Sequence, residues 1–186
     1  MFIFFNNVWG DAQNAVKKDA AKKTYSNNLK TANYYFERAN TITKAKMFSL
    51  DSTIASKAAN DYLMAIKLNP KFWQARRNYA RQMLFLKKYD IAIEQLNEAL
   101  KIAKSEENPD LITMRGQAFY ELERYNEAIL DFEIAIKYME NSKYVYLLKA
   151  KAEWKLGQRE KACEDFNKAI KGNPDYETNK EFIGCK

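Results

Sequence analysis

Four alanines recur along the 186-residue chain at almost equal intervals: Ala58, Ala92, Ala128 and Ala162. A large apolar residue follows each of them after four positions: Tyr62, Leu96, Phe132 and Phe166. Another alanine follows after seven positions: Ala65, Ala99, Ala135 and Ala169. Residues three and four apart lie on one face of an α-helix, so the pattern predicts four helices that each bury a face of small, large and small side chains.

A second set of small residues predicts another helix ahead of three of these four. Ala80, Gly116 and Ala150 each lie twelve positions before an alanine of the first column. Two antiparallel helices that cross about 8 to 10 Å apart leave space only for alanine or glycine at their closest contact. The repeating unit is therefore a pair of helices, and the chain is predicted to be all-α. Its five glycines and three prolines fit helices joined by short turns.

A period of about 34 residues with two helices per unit resembles the tetratricopeptide repeat, a helical pair that stacks into a solenoid. The best copies of the repeat are residues 114–136, 147–174 and 80–100, whereas 55–70 keep only a second helix. The resemblance implies a right-handed superhelical solenoid of antiparallel helix pairs, with three clear repeats, one irregular N-terminal repeat and a C-terminal capping helix. The expected units are about 27–70, 71–108, 109–142 and 143–174, with the cap at 175–186.

The N-terminal segment, residues 1–26, precedes the repeats and has two open interpretations. Its start, MFIFFNNVWGDAQ, has an apolar run that reaches Gly10, Asp11 and Ala12, as a secretory signal peptide with a clipped start would, and residues 1–12 would then point to export. The alternative is a short tail, disordered or tucked against the core, of a cytoplasmic protein. In either case no run approaches the roughly 18 to 20 apolar residues of a membrane span, so none is predicted.

Motifs for catalysis and metal binding are missing from the sequence. The chain has no histidine, the side chain best suited to proton transfer near neutral pH and the commonest metal ligand. It also has no glycine-rich phosphate loop, Cys-x-x-Cys pair or nucleophile elbow. Carboxylates such as Glu127, Asp131 and Glu133 are interpreted as a solvated helix face. The sequence therefore predicts a protein that is not an enzyme and has no cofactor or metal.

The two cysteines, Cys163 and Cys185, lie on different elements, one on the last second helix and the other on the expected cap. In a reducing cytosol they would be small apolar residues where the helix meets the cap, whereas export would favour a disulfide between them. Two thiols without further soft ligands make a poor metal site. The disulfide is therefore tied to the compartment in which the chain matures.

The family resemblance implies a concave groove, lined by the first helices, that holds an extended peptide or a helix of a partner protein. The matching positions in this chain are Arg77, Arg81, Leu84, Phe85, Gln117, Tyr120, Tyr144, Lys151, Trp154 and Lys155. Because these side chains are largely basic or aromatic, we expect an acidic partner segment with aromatic or aliphatic anchors. The alternative is that the basic side chains only keep the helices soluble while the aromatic ones pack against neighbours.

One subgroup of the family clamps a C-terminal carboxylate with lysine, asparagine and arginine on three successive first helices. Asn78 matches the middle member of that clamp. Asp110 and Met114, however, stand where the pattern has basic residues. The clamp is therefore not expected in this chain.

Binding of RNA or another polyanion is the competing hypothesis. A net charge of +7 and a pI near 9.2 favour anionic partners. Arg76, Arg77 and Arg81 also lie beside Trp73 and Tyr79, and phosphate contacts beside stacking rings are typical of single-strand binding. The third unit, however, carries seven acidic residues against three basic ones and would repel a polyanion that followed the whole groove. A non-catalytic protein-binding scaffold is therefore preferred.

Overall fold

The fold is that of a computed structural model, which describes residues 3–45, 51–103, 108–171, 182, 184 and 185, with side chains from residue 17 onward. These residues form eight helices: α1 (Ile3–Ala45), α2 (Ser52–Leu68), α3 (Trp73–Phe85), α4 (Tyr89–Ala103), α5 (Pro109–Glu121), α6 (Tyr125–Tyr138), α7 (Lys143–Lys155) and α8 (Arg159–Ile170). The described residues contain no strand, and the predicted all-α class is confirmed.

The eight helices form four consecutive pairs, units 1 to 4, from α1 and α2 to α7 and α8. Each helix packs against the next one in the chain, so the pairs stack into the predicted solenoid. One apolar cluster runs from Ala59 in unit 1 to Ala152 in unit 4. The alanines of the first column are fully buried: Ala58, Ala92, Ala128 and Ala162. The small residues therefore lie in the core, as the spacing predicts.

The turn within units 2, 3 and 4 is three residues long and has the same backbone conformation each time. Its middle residue has a positive φ, which is 56° at Lys87, 60° at Glu123 and 76° at Gly157. The next residue donates its N–H to the carbonyl five positions back, at 2.8 to 3.0 Å, the hydrogen bond of a Schellman cap. A short turn of fixed shape holds the two helices of each unit in register.

Unit 1 departs from the other units through the length of α1 and of the connection that follows it. α1 is 43 residues long, and every described side chain from residue 17 to 27 is exposed. Packing begins at Asn28 and Leu29, so the division expected at residue 26 falls inside one continuous helix that lacks proline. Ala39 packs with Ala58 and Tyr62. The interval from Ala39 to Ala58 is seven positions longer than the corresponding interval in the other units, which makes unit 1 irregular.

An ion pair between the two helices of a unit recurs in three of the four units. Arg38 contacts Asp61, Arg115 contacts Asp131, and Lys149 contacts Asp165. The partners are separated by 16 positions in units 3 and 4 and by 23 positions in unit 1, so unit 1 again shows seven additional positions. In unit 2, Tyr79 and Gln95 occupy these positions and no such pair exists.

Asp131 was wrongly assigned to a solvated helix face. It is 4% exposed, and both of its oxygens accept hydrogen bonds from Arg115, at 2.8 Å from Nε and 2.7 Å from Nη2. Such a two-point contact compensates a carboxylate for the loss of water. The other two carboxylates of that face, Glu127 and Glu133, retain much of their exposure.

The C-terminal residues that the structure describes pack on unit 4. Phe182 is buried, with its ring stacked on Phe166 at 4.3 Å between centroids and tilted against Trp154 at 5.1 Å. The rest of the expected capping helix, apart from Gly184 and Cys185, lies outside the described residues. Within the described parts of the chain, no helix has both the length and the apolar character needed to cross a membrane.

Candidate functional site

A groove on the first-helix side of the solenoid contains eight of the ten predicted binding residues. Its basic half, of about 560 Å³, is lined by Phe36, Asn40, Thr43, Lys44, Tyr62, Arg77, Asn78, Arg81, Gln82 and Phe85. Its aromatic half, of about 440 Å³, is lined by Leu84, Phe85, Lys87, Tyr89, Gln117, Tyr120, Glu121, Tyr144, Leu148 and Lys151. Phe85 belongs to both halves, so the two are neighbouring parts of one groove.

Three cations surround the basic half, and none of its lining residues carries a carboxylate. Arg77 is partly compensated, because its Nη1 lies 3.3 Å from an oxygen of Asp110 and its Nε donates to Asn78 Oδ1 at 3.2 Å. Arg81 and Lys44 are exposed and make no hydrogen bond or ion pair with any residue that the structure describes. The surplus positive charge of the groove is therefore concentrated between units 1 and 2.

The floor of the basic half is a small network of amides. Tyr62 donates its hydroxyl hydrogen to Asn40 Oδ1 at 2.8 Å, and Asn78 Nδ2 donates to the same oxygen at 3.1 Å. Burial raises the pKa of Tyr62, so this hydroxyl stays a donor at all physiological pH values. Gln82 is 4% exposed, and its Oε1 has no hydrogen-bond partner among the described residues.

The aromatic half carries less net charge. Lys87 and Lys151 line it together with Glu121, which accepts a hydrogen bond from the Tyr89 hydroxyl at 3.1 Å. Gln117 donates from Nε2 to the hydroxyl of Tyr144, which is itself exposed. This half therefore offers ring surface to an apolar side chain more than it offers charge.

The two remaining predicted residues, Trp154 and Lys155, do not line either half of the groove. Trp154 is half-buried, with the Arg159 guanidinium 3.6 Å from its ring centroid and the ring of Phe182 on it as well. Its ring therefore packs at the C-terminal end of the solenoid. Lys155 is exposed next to it.

Sequence reasoning missed the contribution of α1 to the groove, namely Phe36, Asn40, Thr43 and Lys44. The repeat period did not locate this first helix of unit 1, because of the seven additional positions. A signal was nevertheless present in the ion pair. Placing Arg38 in the column of Arg115 and Lys149 puts Ala39 in the column of small residues and fixes the register of α1.

The arginines that suggested RNA binding do not form one surface. Arg76 donates to Gln95 Oε1 at 2.7 Å and to the carbonyl of Pro70, whereas Arg77 and Arg81 line the groove. Trp73 and Tyr79, the predicted stacking rings, pack against the main apolar cluster. The three arginines and the ring of Trp73 therefore do not form the continuous stacking surface that the sequence suggested, and binding of a polyanion stays a prediction.

A buried carboxyl group lies away from the groove, in unit 4. Burial raises the pKa of Glu153, which is 1% exposed and has one oxygen 3.2 Å from Lys149 Nζ. Lys149 also contacts Asp165 and Glu133, at 2.8 and 3.5 Å. The cluster joins α6, α7 and α8. Within the described part of the chain, no group of histidine, cysteine and carboxylate side chains could hold a metal ion.

Cys163 and Cys185 lie together at the C-terminal end of the solenoid. Their Cα atoms are 5.0 Å apart, and their sulfur atoms are at bonding distance. Cys185 is buried in the same apolar cluster as Phe166 and Phe182. The two positions therefore permit a disulfide without movement of the backbone.

The repeats are similar to those of known proteins. A family model described as tetratricopeptide repeat matches residues 113–177. The chain is 29% identical over 199 residues to a TPR repeat-containing protein of Methanocaldococcus jannaschii, an alignment that covers 88% of this chain and 32% of that protein. The chain thus spans about a third of the length of this relative.

Solved structures share the fold. The TPR domain of Arabidopsis OM64 is 27% identical, with a TM-score of 0.60 over 68% of this chain and 98% of that domain. The first TPR domain of Spaghetti (RPAP3), bound to the HSP90 peptide SRMEEVD, is 20% identical, with a TM-score of 0.61 over 69% of this chain and 95% of that one. From its repeat columns, its stacked helix pairs and these similarities, the chain has the fold of tetratricopeptide repeat proteins, and its residues 113–177 match that family's model.

Proposed function

We propose that this protein is a non-catalytic scaffold whose groove holds an acidic segment of a partner protein. The observation that carries the proposal is the division of the groove into a basic half and an aromatic half. Carboxylates of the segment would meet the cations of the basic half, Lys44, Arg77 and Arg81. An aliphatic or aromatic side chain of the same segment would pack against Phe85 and Tyr144 in the aromatic half.

The comparison with Spaghetti supports a peptide as the occupant. That domain was solved with a peptide whose sequence, SRMEEVD, contains three acidic residues. At 20% identity the likeness extends to the fold alone, so the residues that hold a segment in this chain are inferred from its own groove. The exposed cations Arg81 and Lys44 would also speed the encounter with an acidic partner through long-range attraction.

Replacement of Phe85 by alanine is expected to weaken partner binding by about 2 kcal/mol, roughly 30-fold in Kd. Phe85 is 45% exposed and belongs to both halves of the groove, so its loss affects a segment that crosses either half. Leu130→Ala is the matched control, because Leu130 is 59% exposed on α6 and lines neither half. The measurement is quantitative mass spectrometry of proteins retained by the wild-type chain and by each variant from cell extract, with and without nuclease treatment.

Three outcomes of that capture separate the hypotheses, with equal helicity of the variants established by circular dichroism. A protein retained by the wild-type chain and by Leu130→Ala, but lost from Phe85→Ala, supports the groove. Equal retention by all three chains would place the binding surface elsewhere on the solenoid. Retention that disappears on nuclease treatment would favour the polyanion hypothesis.

We also propose that Cys163 and Cys185 form a disulfide when the chain matures in an oxidising compartment. Two observations support this pairing. The Cα atoms of the two cysteines are 5.0 Å apart, and the stacking of Phe182 on Phe166 holds the C-terminal residues close to α8. Mass spectrometry of a non-reduced digest is expected to find the linked peptide. Two free thiols in protein isolated from such a compartment, with alkylation before lysis, would contradict the pairing.

A further inference from the structure

The basic half of the groove has a charge that an ordinary carboxylate would only partly neutralise. Lys44, Arg77 and Arg81 give it a formal charge of +3, and no lining residue is acidic. Arg77 is the one of these three cations with a described carboxylate contact: its Nη1 lies 3.3 Å from an oxygen of Asp110. The Asp110 side chain is half exposed, so it offsets the positive charge only partly. Lys44 and Arg81 lie on different helices, α1 and α3, so they approach the space between them from two sides.

Hydrogen bonds to Oδ1 fix the orientation of the Asn40 side-chain amide and leave the two hydrogens on Nδ2 unused. Its Oδ1 accepts two hydrogen bonds, from Tyr62 and from Asn78. Rotation of the amide by 180° would place its NH₂ against the NH₂ of Asn78, donor against donor, so the network fixes the orientation. The described hydrogen bonds of the Asn40 side chain use only Oδ1, and because Asn40 lines the basic half, the hydrogens on Nδ2 are left for an acceptor there.

Gln82 supplies a second amide at the floor. Its side chain is more than nine-tenths buried and lines the basic half, yet Oε1 has no partner among the residues that the structure describes. Units 3 and 4 have Ala118 and Ala152 at the equivalent position, both fully buried, so the fold itself does not need a polar residue there. No described hydrogen bond fixes the orientation of the Gln82 amide. The amide can therefore turn its NH₂ toward the groove and donate a hydrogen bond to a ligand oxygen at the floor.

We propose that the basic half of the groove binds a doubly charged phosphate monoester, carried as a phosphorylated serine or threonine on the partner segment. A phosphate dianion has three acceptor oxygens, which match the donors of Arg81, Lys44 and the Asn40 amide. Guanidinium groups contact phosphate by paired hydrogen bonds, and two charges on the ligand balance the surplus better than one. The phosphopeptide as source rests on the proposed function, whereas the phosphate site can be tested by itself.

Phenyl phosphate is the probe, with the full chain labelled with ¹⁵N. Its addition is expected to shift the side-chain amide signals of Asn40, Asn78 and Gln82. Affinity should be about tenfold higher at pH 7 than at pH 5, because the second pKa of a phosphate monoester near 6 takes the dianion from about one-tenth to nine-tenths of the total. Glutarate, a dicarboxylate whose carboxyl groups lose their protons mostly below pH 6, should bind more weakly and show a smaller change.

The groups that face the site belong to residue types that ordinarily do not titrate between pH 5 and 7. The chain has no histidine. The groups that face the site are Lys44 on α1, Tyr62 on α2, and Arg77 and Arg81 on α3, with Asp110 of α5 behind Arg77. Lysine, tyrosine and arginine ordinarily titrate at about 10 or above and carboxylates near 4, outside the interval from pH 5 to 7.

Variants locate the site within the groove. Arg81→Ala is expected to weaken phenyl phosphate binding roughly tenfold, since it removes a charged hydrogen-bond donor. Gln82→Ala, which introduces the residue of units 3 and 4, should leave the thermal midpoint unchanged or higher and weaken binding several-fold. Lys151→Ala is the matched control, because it removes one positive charge from the aromatic half and should leave affinity within twofold.

Results that would overturn the phosphate site differ from results that would overturn the proposed function of the groove. Equal losses in Arg81→Ala and Lys151→Ala, or an affinity independent of pH, would overturn the phosphate site. Binding of glutarate as tight as that of phenyl phosphate would also overturn it and leave the acidic-segment proposal in place. If phenyl phosphate binds as expected but Phe85→Ala retains every partner, the site stands and the proposed groove function falls.

Discussion

Replacement of Asp131 by alanine is expected to lower the free energy of unfolding by about 3 kcal/mol. The change leaves the guanidinium of Arg115 without its carboxylate, and removal of one partner of a buried ion pair costs about 3 to 5 kcal/mol. The lower end applies because the Arg115 side chain keeps 23% of its exposure and can recover some water. Arg115 also donates to Asn97 Oδ1 on α4 at 2.7 Å, so the pair supports the junction of units 2 and 3.

Urea denaturation followed by circular dichroism would measure this loss. Glu127→Ala is the control, because Glu127 pairs with Arg124 close by in sequence, but on the surface, where ion pairs contribute little. An Arg115→Met, Asp131→Leu double variant should recover much of the loss, since an apolar pair removes both charges together. If Asp131→Ala and Glu127→Ala had equal midpoints, the buried pair would not be a main source of stability.

The parts of the fold that sequence predicted are those in which sterics leave little choice. Where two helices cross, only alanine or glycine fits, so the columns that contain Ala92 and Ala80 repeat in register and mark units 2 to 4. The ion pair was missed for a physical reason. Aspartate on a helix is usually solvated, and spacing within one helix does not reveal that Arg115 on the neighbouring helix meets Asp131.

The candidate site was likewise predicted only in part. In units 2 to 4 the register of the first helix fixed which residues face the groove, so Arg81, Gln117 and Lys151 were predicted from the sequence. The floor amides Asn40 and Gln82 were not predicted. Asn40 accepts hydrogen bonds from Tyr62 and Asn78, and Gln82 Oε1 has no hydrogen-bond partner among the described residues; neither property can be read from the sequence. Trp154 was predicted to face the groove and does not line it. Its ring packs against Phe182, a contact that the spacing of the repeats does not reveal.

Gly116→Leu should cost about 3 kcal/mol of stability, because the crossing of α5 and α6 has no space for a side chain. Even a Cβ on Gly116 would lie 2.7 Å from Phe132 Cε1 and 3.2 Å from Asp131 Cβ. Phe132 is fully buried and cannot move aside without disturbing the core. Overpacking of this kind typically costs about 1 to 3 kcal/mol and sometimes more, and leucine adds three further carbon atoms beyond Cβ.

Gly116→Ala makes the sharper test because two effects have opposite signs. Alanine is favoured over glycine within a helix by about 1 kcal/mol, so propensity alone predicts a more stable protein. The contact at 2.7 Å predicts a less stable one, since either the Phe132 ring or the helix must shift. Asn126→Leu, at an exposed position of α6, controls for the effect of an added leucine. Thermal and urea midpoints below wild type for both Gly116 variants, with Asn126→Leu unchanged, would establish the close crossing; a stabilised Gly116→Ala would show that α5 and α6 lie further apart than in this structure.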